Sequence, residues 1–241
     1  MGRAFEFRKE RKFKRWAKMA VQFTRLGKEI AMAVKEGGPN PEGNARLRTA
    51  IQNAKAVNMP KDRVEAAIKR ASDKDEKSYE EHVYEGYGPH GAPILIETAT
   101  DNTNRTVANI RSYFSKAGGT LGKTGSLDFI FQRKSIFRFP ASEDLDSDEL
   151  ELELIDGGLE ELYIESDEEG NDFVVVQTSF EDFGNMQRLL EEKGMSVSSA
   201  KLERIALSHT ELDEDAAAEV LKLIDKIEED DDVQAVYHNM G

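Results

Sequence analysis

Lysine and arginine, the residues that bind phosphate, are concentrated at one end of this sequence. Residues 1–77 hold 20 of them against 10 acidic residues, which gives a net charge of +10. Residues 78–241 hold 13 against 37, a net charge of −24, and the whole 241-residue chain carries −14. A basic segment attracts the phosphates of a nucleic acid, and an acidic remainder limits how much of the protein can lie on them. The charge distribution predicts nucleic-acid binding by residues 1–77, although a basic helical bundle that faces only solvent would have the same composition.

The basic residues that carry this prediction are those expected on the outside of the segment. Arg48 and Lys55 lie two helical turns apart on nearly one side, and Lys69 and Arg70 follow in the next helix. These four are the preferred contact set. The alternative is that they pair with the acidic part of the chain and hold the segment in place. The complete set of predicted nucleic-acid contacts consists of Arg11, Lys12, Lys14, Arg15, Lys18, Arg25, Lys28, Arg48, Lys55, Lys61, Lys69 and Arg70.

Two glycine-containing patterns resemble nucleotide-binding loops, and both have the wrong context. Residues 117–124 end in GKT, as a P-loop does, but a helical pattern precedes them and a strand pattern follows. A P-loop needs the reverse order, because the backbone amides at the start of the following helix hold the phosphates. Residues 86–91 read GxGxxG, yet Pro89 lacks an N–H and a strand follows. We therefore expect both segments to be structural.

Residues suited to metal binding or catalysis are present but are not arranged for it. The four histidines are scattered, and the chain has no cysteine. Asp144, Asp146 and Asp148 resemble the start of a calcium-binding loop, but Glu149 and Ile155 stand where that loop needs glycine and glutamate. The polar run 101–106 is either a helix cap with an Asx-turn or a binding site. We predict no enzyme activity, no catalytic residue, no metal and no cofactor.

Composition narrows the class of protein further. No stretch approaches the ~20 apolar residues of a membrane span, and the basic N-terminus lacks the apolar core of a secretory signal. The absence of cysteine removes disulfides, zinc–thiolate sites and thiol nucleophiles. We expect a cytoplasmic protein with no membrane partner.

Apolar residues at three- and four-residue spacing predict three amphipathic helices in the first segment. The first should end at residues 37–39 (GGP), and Asn40-Pro41 is expected to cap the second. Residues 58–60 (NMP) separate the second helix from the third, and residues 72–77 read as a linker. Three short helices joined by tight turns predict a small bundle.

From Tyr79 onward the pattern changes to strands and single helices. Strands are predicted at 83–85, 94–98 and 126–133 around a helix at 106–116, and then at 161–164, 173–177 and 197–205 around a helix at 180–192. Both runs read strand, strand, helix, glycine turn, strand, which indicates a weak internal repeat. A last helix at 215–228 and strand at 233–237 could complete the first module.

The predicted fold is therefore α+β and multidomain. The N-terminal three-helix bundle is followed by two ferredoxin-like α+β modules, the second inserted in the first. The predicted domains are a basic helical domain at 1–77, a discontinuous α+β domain at 78–134 plus 207–241, and an inserted acidic α+β domain at 135–206.

Several sequence blocks resemble the YebC family. They run in order along nearly the whole chain: NARLR at 44–48, NMPKD at 58–62, AIKR at 67–70, YEGYGP at 84–89, TDN at 100–102, NRT at 104–106, KAGGTLG at 116–122 and DVQAVYHN at 232–239. The resemblance implies a helical N-terminal domain, two α+β domains and no enzymatic role. It also implies a transcriptional regulator that binds DNA, or a ribosome-associated translational activator, since the family's mitochondrial relatives look like the latter.

Charge and resemblance together predict a non-enzymatic regulator of gene expression that binds DNA through its basic helical domain. No recognition helix can be named from periodicity. The sequence therefore supports contact with phosphates but no direct recognition of bases. The alternative is a translation factor that contacts ribosomal RNA, since a basic module on an acidic body also suits insertion between phosphates. The expected partners are DNA, the ribosome or both, with a possible protein partner for the acidic domains.

Overall fold

The computed structural model describes residues 3–73, 78–142, 145–167 and 170–241, with side chains from Met19 onward. The chain forms two compact units, one comprising residues 1–127 with 208–241 and the other comprising residues 128–207. We call the second the inserted unit. In the described ranges, no helix is both long and apolar enough to cross a membrane.

The first unit begins with three helices, α1 (Arg3–Gly37), α2 (Ala45–Ala56) and α3 (Lys61–Ala71). Both short helices pack on the C-terminal half of α1, as the apolar spacing predicts. We keep the name helical domain for residues 1–77. Its core is built from aliphatic side chains of all three helices, among them Ile30, Leu47, Ala54, Val64 and Ala67.

Asn44, rather than Asn40, caps the second helix. Its Oδ1 accepts the N–H of Leu47 at 3.0 Å, while its Nδ2 donates to the carbonyls of Ala33 at 2.7 Å and Gly38 at 2.9 Å. The side chain therefore joins the end of α1 to the start of α2. Asn40 only closes a turn, since its Oδ1 accepts the N–H of Glu42. The predicted cap was wrong because a turn occupies residues 41–43 before the helix starts.

Replacing Asn44 by alanine should lower the free energy of unfolding by about 1–2 kcal/mol. The change removes an N-cap, which is typically worth about that much, and leaves two carbonyls without their donor. Urea denaturation measures the loss. Asn40→Ala is the matched control, because its turn is exposed, and an equal loss in both variants would contradict the role of Asn44.

The rest of the first unit is a four-stranded sheet with two helices. Its elements are β1 (Glu80–Tyr87), β2 (Pro93–Thr100), α4 (Thr103–Lys116), β3 (Thr120–Leu121), α7 (Glu214–Glu228) and β8 (Val233–His238). The strand order is β3-β1-β2-β8, and all pairs are antiparallel. Both helices share a core with β2, in which Ile94, Ile110, Phe114 and Val220 are fully buried. The predicted final helix and strand do complete this sheet.

The inserted unit has its own sheet and core. It consists of β4 (Phe131–Pro140), α5 (Ser147–Leu154), β5 (Leu159–Ser166), β6 (Asp172–Ser179), α6 (Phe183–Glu192) and β7 (Ser199–Ala206). The antiparallel strand order β5-β6-β4-β7 places β4 between β6 and β7, as in a ferredoxin-like βαββαβ unit. Phe137, Leu154, Val176 and Met186 are fully buried between sheet and helices. The α+β prediction with one module inserted in the other is confirmed.

The region around residue 130 differs from its prediction. Residues 124–130 form turns instead of a strand, and β4 then extends to Pro140 as part of the inserted sheet. The inserted unit consequently begins at Asp128, where a start at residue 135 was expected. Phe129, which strand alternation would place on the same side as the buried Leu127 and Phe131, is 71% exposed. Helix α5 was not predicted, and the two modules close their sheets differently, since β3 pairs with β1 while β7 pairs with β4.

Candidate nucleic-acid interface

The preferred contact residues lie on the outside of the helical domain. Arg48, Lys55, Lys69 and Arg70 are all exposed, and we call these four the basic set. The Arg48 guanidinium donates to the carbonyls of Pro41 at 3.0 Å and Glu42 at 3.1 Å, which fixes its position at the start of α2. Among the described side chains, no carboxylate forms an ion pair with any of the four. The basic set is therefore available to an external anion.

Helix geometry groups these cations in pairs. Arg48 and Lys55 are seven residues apart on α2, which places them on one side and about 10 Å apart along the axis. Lys69 and Arg70 occupy the last turn of α3. Lys61, at the start of α3, is also exposed. Its Nζ lies 3.4 Å from the Glu65 carboxylate, which partly neutralises its positive charge.

Lys28 and Arg25 do not lie on the outside as predicted. Lys28 is only 8% exposed, and its Nζ donates to the carbonyls of Ala99 at 2.9 Å and Asp231 at 2.7 Å. Arg25 donates to the carbonyls of Val233 at 3.1 Å and Glu228 at 3.3 Å. Burial lowers the pKa of Arg25 below its usual value, and Glu228 offsets only part of that effect. Both residues join α1 to the α+β part of the same unit, so the prediction that they contact nucleic acid from the outside was wrong for this pair.

Asp232 is the centre of this junction. It is 4% exposed, and its Oδ1 accepts the Lys28 ammonium at 3.1 Å. Its Oδ2 accepts the Arg105 guanidinium at 2.7 Å and the hydroxyls of Thr106 at 2.8 Å and Thr100 at 3.2 Å. Five donors thus surround one buried carboxylate, once both Arg105 nitrogens are counted. Three of the five, the two Arg105 nitrogens and the Thr106 hydroxyl, come from the polar run 101–106, where Asn102 caps α4.

The surroundings of Asp232 make the junction sensitive to acid. Burial alone would raise the pKa of Asp232, but hydrogen bonds from Arg105, Thr106 and Lys28 outweigh it and hold the pKa below its usual value. A carboxylate with a lowered folded-state pKa stabilises the protein above its unfolded pKa of about 3.9, and this stabilisation is lost as pH falls through the folded-state value.

We expect the stability difference between wild type and Asp232→Asn to be full at pH 6 and to shrink below about pH 4. Urea denaturation of both proteins from pH 6 to pH 3 measures this difference. Asp213→Asn is the control, because it also removes a carboxylate from the same unit, at the exposed N-cap of α7. A difference that stays constant or grows as pH falls would contradict the sign of the effect.

Five predicted contacts lie outside the described side chains. They occur in the first half of α1, whose backbone is helical from Arg3. They are Arg11, Lys12, Lys14, Arg15 and Lys18.

The GKT segment is held by a carboxylate of the chain itself. Residues 122–125 follow β3 in an exposed turn, after helix α4, so the order of elements is the reverse of a P-loop. Glu85 is 3% exposed, and its carboxylate accepts the N–H groups of Gly125 at 2.7 Å and Leu127 at 2.6 Å. Two amides that could bind a phosphate are thereby already occupied by an anion.

Lys123→Ala should leave the protein's affinity for ATP unchanged, because the amides of this turn bind Glu85 and the wild type has no affinity to lose. Isothermal titration of both proteins with ATP and Mg²⁺ checks this. ATP binding by the wild type that disappears in the variant would restore a nucleotide site.

The remaining sequence patterns have structural roles in the described residues. Asp146 caps α5 by accepting the N–H groups of Asp148 and Glu149 at 3.1 Å, while Asp144 lies outside the described residues. Pro89 lies in a short turn between β1 and β2. Within the described ranges, no three histidine, aspartate or glutamate side chains are grouped so as to hold a metal ion.

A groove beside the basic set was not predicted. It encloses about 360 Å³ between α1 and α3, and Phe23, Arg63, Arg70 and Tyr79 are among its lining residues. The guanidinium of Arg63 lies 5.5 Å from the centre of the Phe23 ring. Arg63 and Arg70 are seven residues apart, the same spacing as Arg48 and Lys55, so the helical period could have pointed to this pair.

Known proteins and family models match this chain over nearly its whole length. A family model described as the TACO1/YebC protein N-terminal domain covers residues 3–74, and one described as the TACO1/YebC second and third domain covers residues 79–240. A probable transcriptional regulatory protein of Flavobacterium psychrophilum is 58% identical over 240 residues, covering 100% of this chain and 99% of the relative. One of Anaeromyxobacter dehalogenans is 53% identical over 241 residues, with both chains covered in full.

A solved structure agrees with these matches. The crystal structure of a conserved hypothetical protein from Aquifex aeolicus superposes with a TM-score of 0.77 at 36% identity, over 92% of this chain and 90% of the other. The family models, the sequence relatives and the solved structure all match the helical domain and both α+β modules. The chain belongs to the TACO1/YebC family.

Proposed function

We propose that this protein is a non-enzymatic regulator of gene expression that binds DNA through the basic set of its helical domain. The observation that carries the proposal is the exposure of Arg48, Lys55, Lys69 and Arg70 without a described carboxylate partner, in a segment with a net charge of +10. The names of the relatives, probable transcriptional regulatory proteins, agree with this role.

The charge distribution supports contact by this part of the molecule alone. Residues 128–207, the inserted unit, hold 7 basic and 21 acidic residues, so this unit carries a net −14, equal to the charge of the whole chain. Residues 78–127 and 208–241 together also carry a net −10, so phosphates are repelled by both acidic parts, and the helical domain is the part that can approach DNA. The acidic inserted unit is instead suited to a protein partner.

Binding of this kind is mainly electrostatic. Lysine and arginine that neutralise phosphates release condensed counterions, so the logarithm of affinity falls linearly with the logarithm of salt concentration. For ~4–6 contacts on duplex DNA, the slope should be about −4 to −5. Phosphate contacts fix position and carry no sequence information, so duplexes of unrelated sequence should bind similarly.

The test is fluorescence anisotropy of the full chain with two labelled duplexes of unrelated sequence, at salt concentrations from 50 to 200 mM. The proposal expects similar affinity for both and the steep salt dependence given above. Failure of the full chain to bind duplex DNA at 50 mM salt would refute it.

Contact with ribosomal RNA is a second candidate, favoured by the opposite net charges of the helical domain and the inserted unit. A small basic module on an acidic body suits a site in which phosphates surround the module on several sides. Sedimentation of the protein with ribosomes, compared with recovery of promoter DNA from the same lysate, separates the two candidates. Ribosome sedimentation without DNA recovery would favour RNA, and the reverse would favour DNA.

A further inference from the structure

The groove between α1 and α3 has the chemistry of a nucleotide site. Of the twelve residues that line it, three are cationic and none is acidic. Lys28 is already engaged by Asp232, so Arg63 and Arg70 are the cations that an entering anion would meet. Both are exposed, and among the described side chains no carboxylate forms an ion pair with either. The electrostatics of the groove therefore favour a polyanion.

The groove also offers flat surfaces. The Arg63 guanidinium lies over the Phe23 ring at 5.5 Å, and the Lys28 ammonium lies 5.2 Å from the centre of the Tyr79 ring. Unstacked bases are typically held on aromatic rings and on arginine guanidinium planes. An acidic peptide would satisfy the cations but would leave this planar surface without a planar partner.

Gly27 keeps one wall of the groove open. It lies in the interior of the 35-residue helix α1, where glycine is the least favourable residue apart from proline. A Cβ at this position would meet no heavy atom within 4 Å, so close packing does not require glycine here. Its backbone is also not in the left-handed region. Because Gly27 has no side chain, the space beside Phe23 and Arg63 stays open.

We infer that this groove holds one unpaired nucleotide of a DNA strand, with its base against the Arg63–Phe23 pair and its phosphate near Arg70. The inference rests on the proposed function and deepens it, because it assigns to the helical domain a preference for single-stranded over duplex DNA. A paired base cannot enter, since it must leave its stack first. The occupant is taken to be a strand of the DNA of the proposed function, and an RNA strand of the same sequence tests this choice.

The experiment uses the full chain and fills the groove without disturbing the fold. Gly27→Leu places a side chain in the open space, and Gly27→Ala is the matched control that restores a Cβ but leaves most of the groove empty. Affinities are measured by anisotropy for a labelled 15-nucleotide DNA strand, its duplex and the RNA strand of the same sequence. A 2-aminopurine at the centre of the DNA strand reports stacking by a change in its fluorescence.

The wild type should bind the DNA strand more tightly than the duplex. Gly27→Leu should weaken strand binding about tenfold, which is within the range for loss of one stacked base, and should change duplex binding less than twofold. Gly27→Ala should bind as the wild type does, and both variants should melt no lower than the wild type, since both improve helix propensity. Arg63→Gln should also reduce strand binding and the 2-aminopurine signal.

Two results would overturn the inference. In the first, Gly27→Leu binds the DNA strand as tightly as the wild type does, and duplex binding is also intact. This result would reject the groove as the nucleotide site and leave the proposed function standing. The other is RNA bound more than tenfold tighter than the DNA strand, which would reject DNA as the occupant. Loss of the proposed function itself has a different signature, because the wild type would then bind neither form of DNA.

Discussion

Asp232→Ala is expected to lower the free energy of unfolding by about 3–5 kcal/mol, the usual cost of breaking a buried ion pair by removing one partner. The variant leaves the Lys28 ammonium buried with only two carbonyls, and it removes the acceptor shared by Thr100, Thr106 and Arg105. Urea denaturation followed by circular dichroism measures the loss as a lower midpoint.

Asp231→Ala is the matched control for this change. Asp231 is the neighbouring residue and is exposed, and its contribution to the junction is its backbone carbonyl, which alanine retains. The free energy of unfolding of Asp231→Ala should fall by no more than about 0.5 kcal/mol. Equal losses in the two variants would mean that Asp232 does not organise the junction between α1 and the sheet.

The double variant Arg48→Glu/Lys55→Glu should bind duplex DNA about 100-fold more weakly than the wild type at 50 mM salt. Each phosphate contact contributes about 0.9 log units per decade of salt, and 50 mM lies about 1.3 decades below 1 M, so each contact is worth roughly tenfold. The melting temperature should change little, because both side chains are exposed and exposed charges contribute little to stability. Anisotropy and thermal unfolding measure the two effects.

Lys116→Glu/Lys222→Glu is the control for net charge. These lysines are exposed on α4 and α7 of the same unit, and their reversal changes the total charge by the same amount. Its affinity should fall less than threefold. A melting temperature lowered by many degrees in Arg48→Glu/Lys55→Glu, with DNA affinity unchanged, would instead assign the two residues to holding the domain in place.

Local periodicity was sufficient to predict most of the fold. The three helices of the bundle and the helix at 215–228 follow from apolar spacing, because each buries one stripe against a single core. The strand predicted at 126–133 was wrong over residues 124–130 because alternation alone cannot distinguish a strand from a turn. There, the Glu85 carboxylate holds the amides of Gly125 and Leu127, and this contact across 40 residues is invisible to a local pattern.

The site was harder to predict than the fold, for a similar reason. Lys55 and Lys28 are both lysines on amphipathic helices, yet one is exposed and the other is bound to a carboxylate 204 residues away. Helical periodicity gave no signal, since Lys28 is two residues from both Leu26 and Ile30 and therefore lies on the opposite side of α1 from these core residues. The groove was missed because its walls come from separate helices, and only packing brings Phe23 and Arg63 together.

The claim that the basic set binds phosphate makes a prediction for the salt dependence of DNA affinity in three proteins. The slope of log affinity against log salt counts phosphate contacts, and each contact contributes about −0.9 on duplex DNA. In Arg48→Glu/Lys55→Glu the slope should therefore become shallower by about 2, while Lys116→Glu/Lys222→Glu should keep the wild-type slope. Equal slopes in all three proteins would contradict the claim.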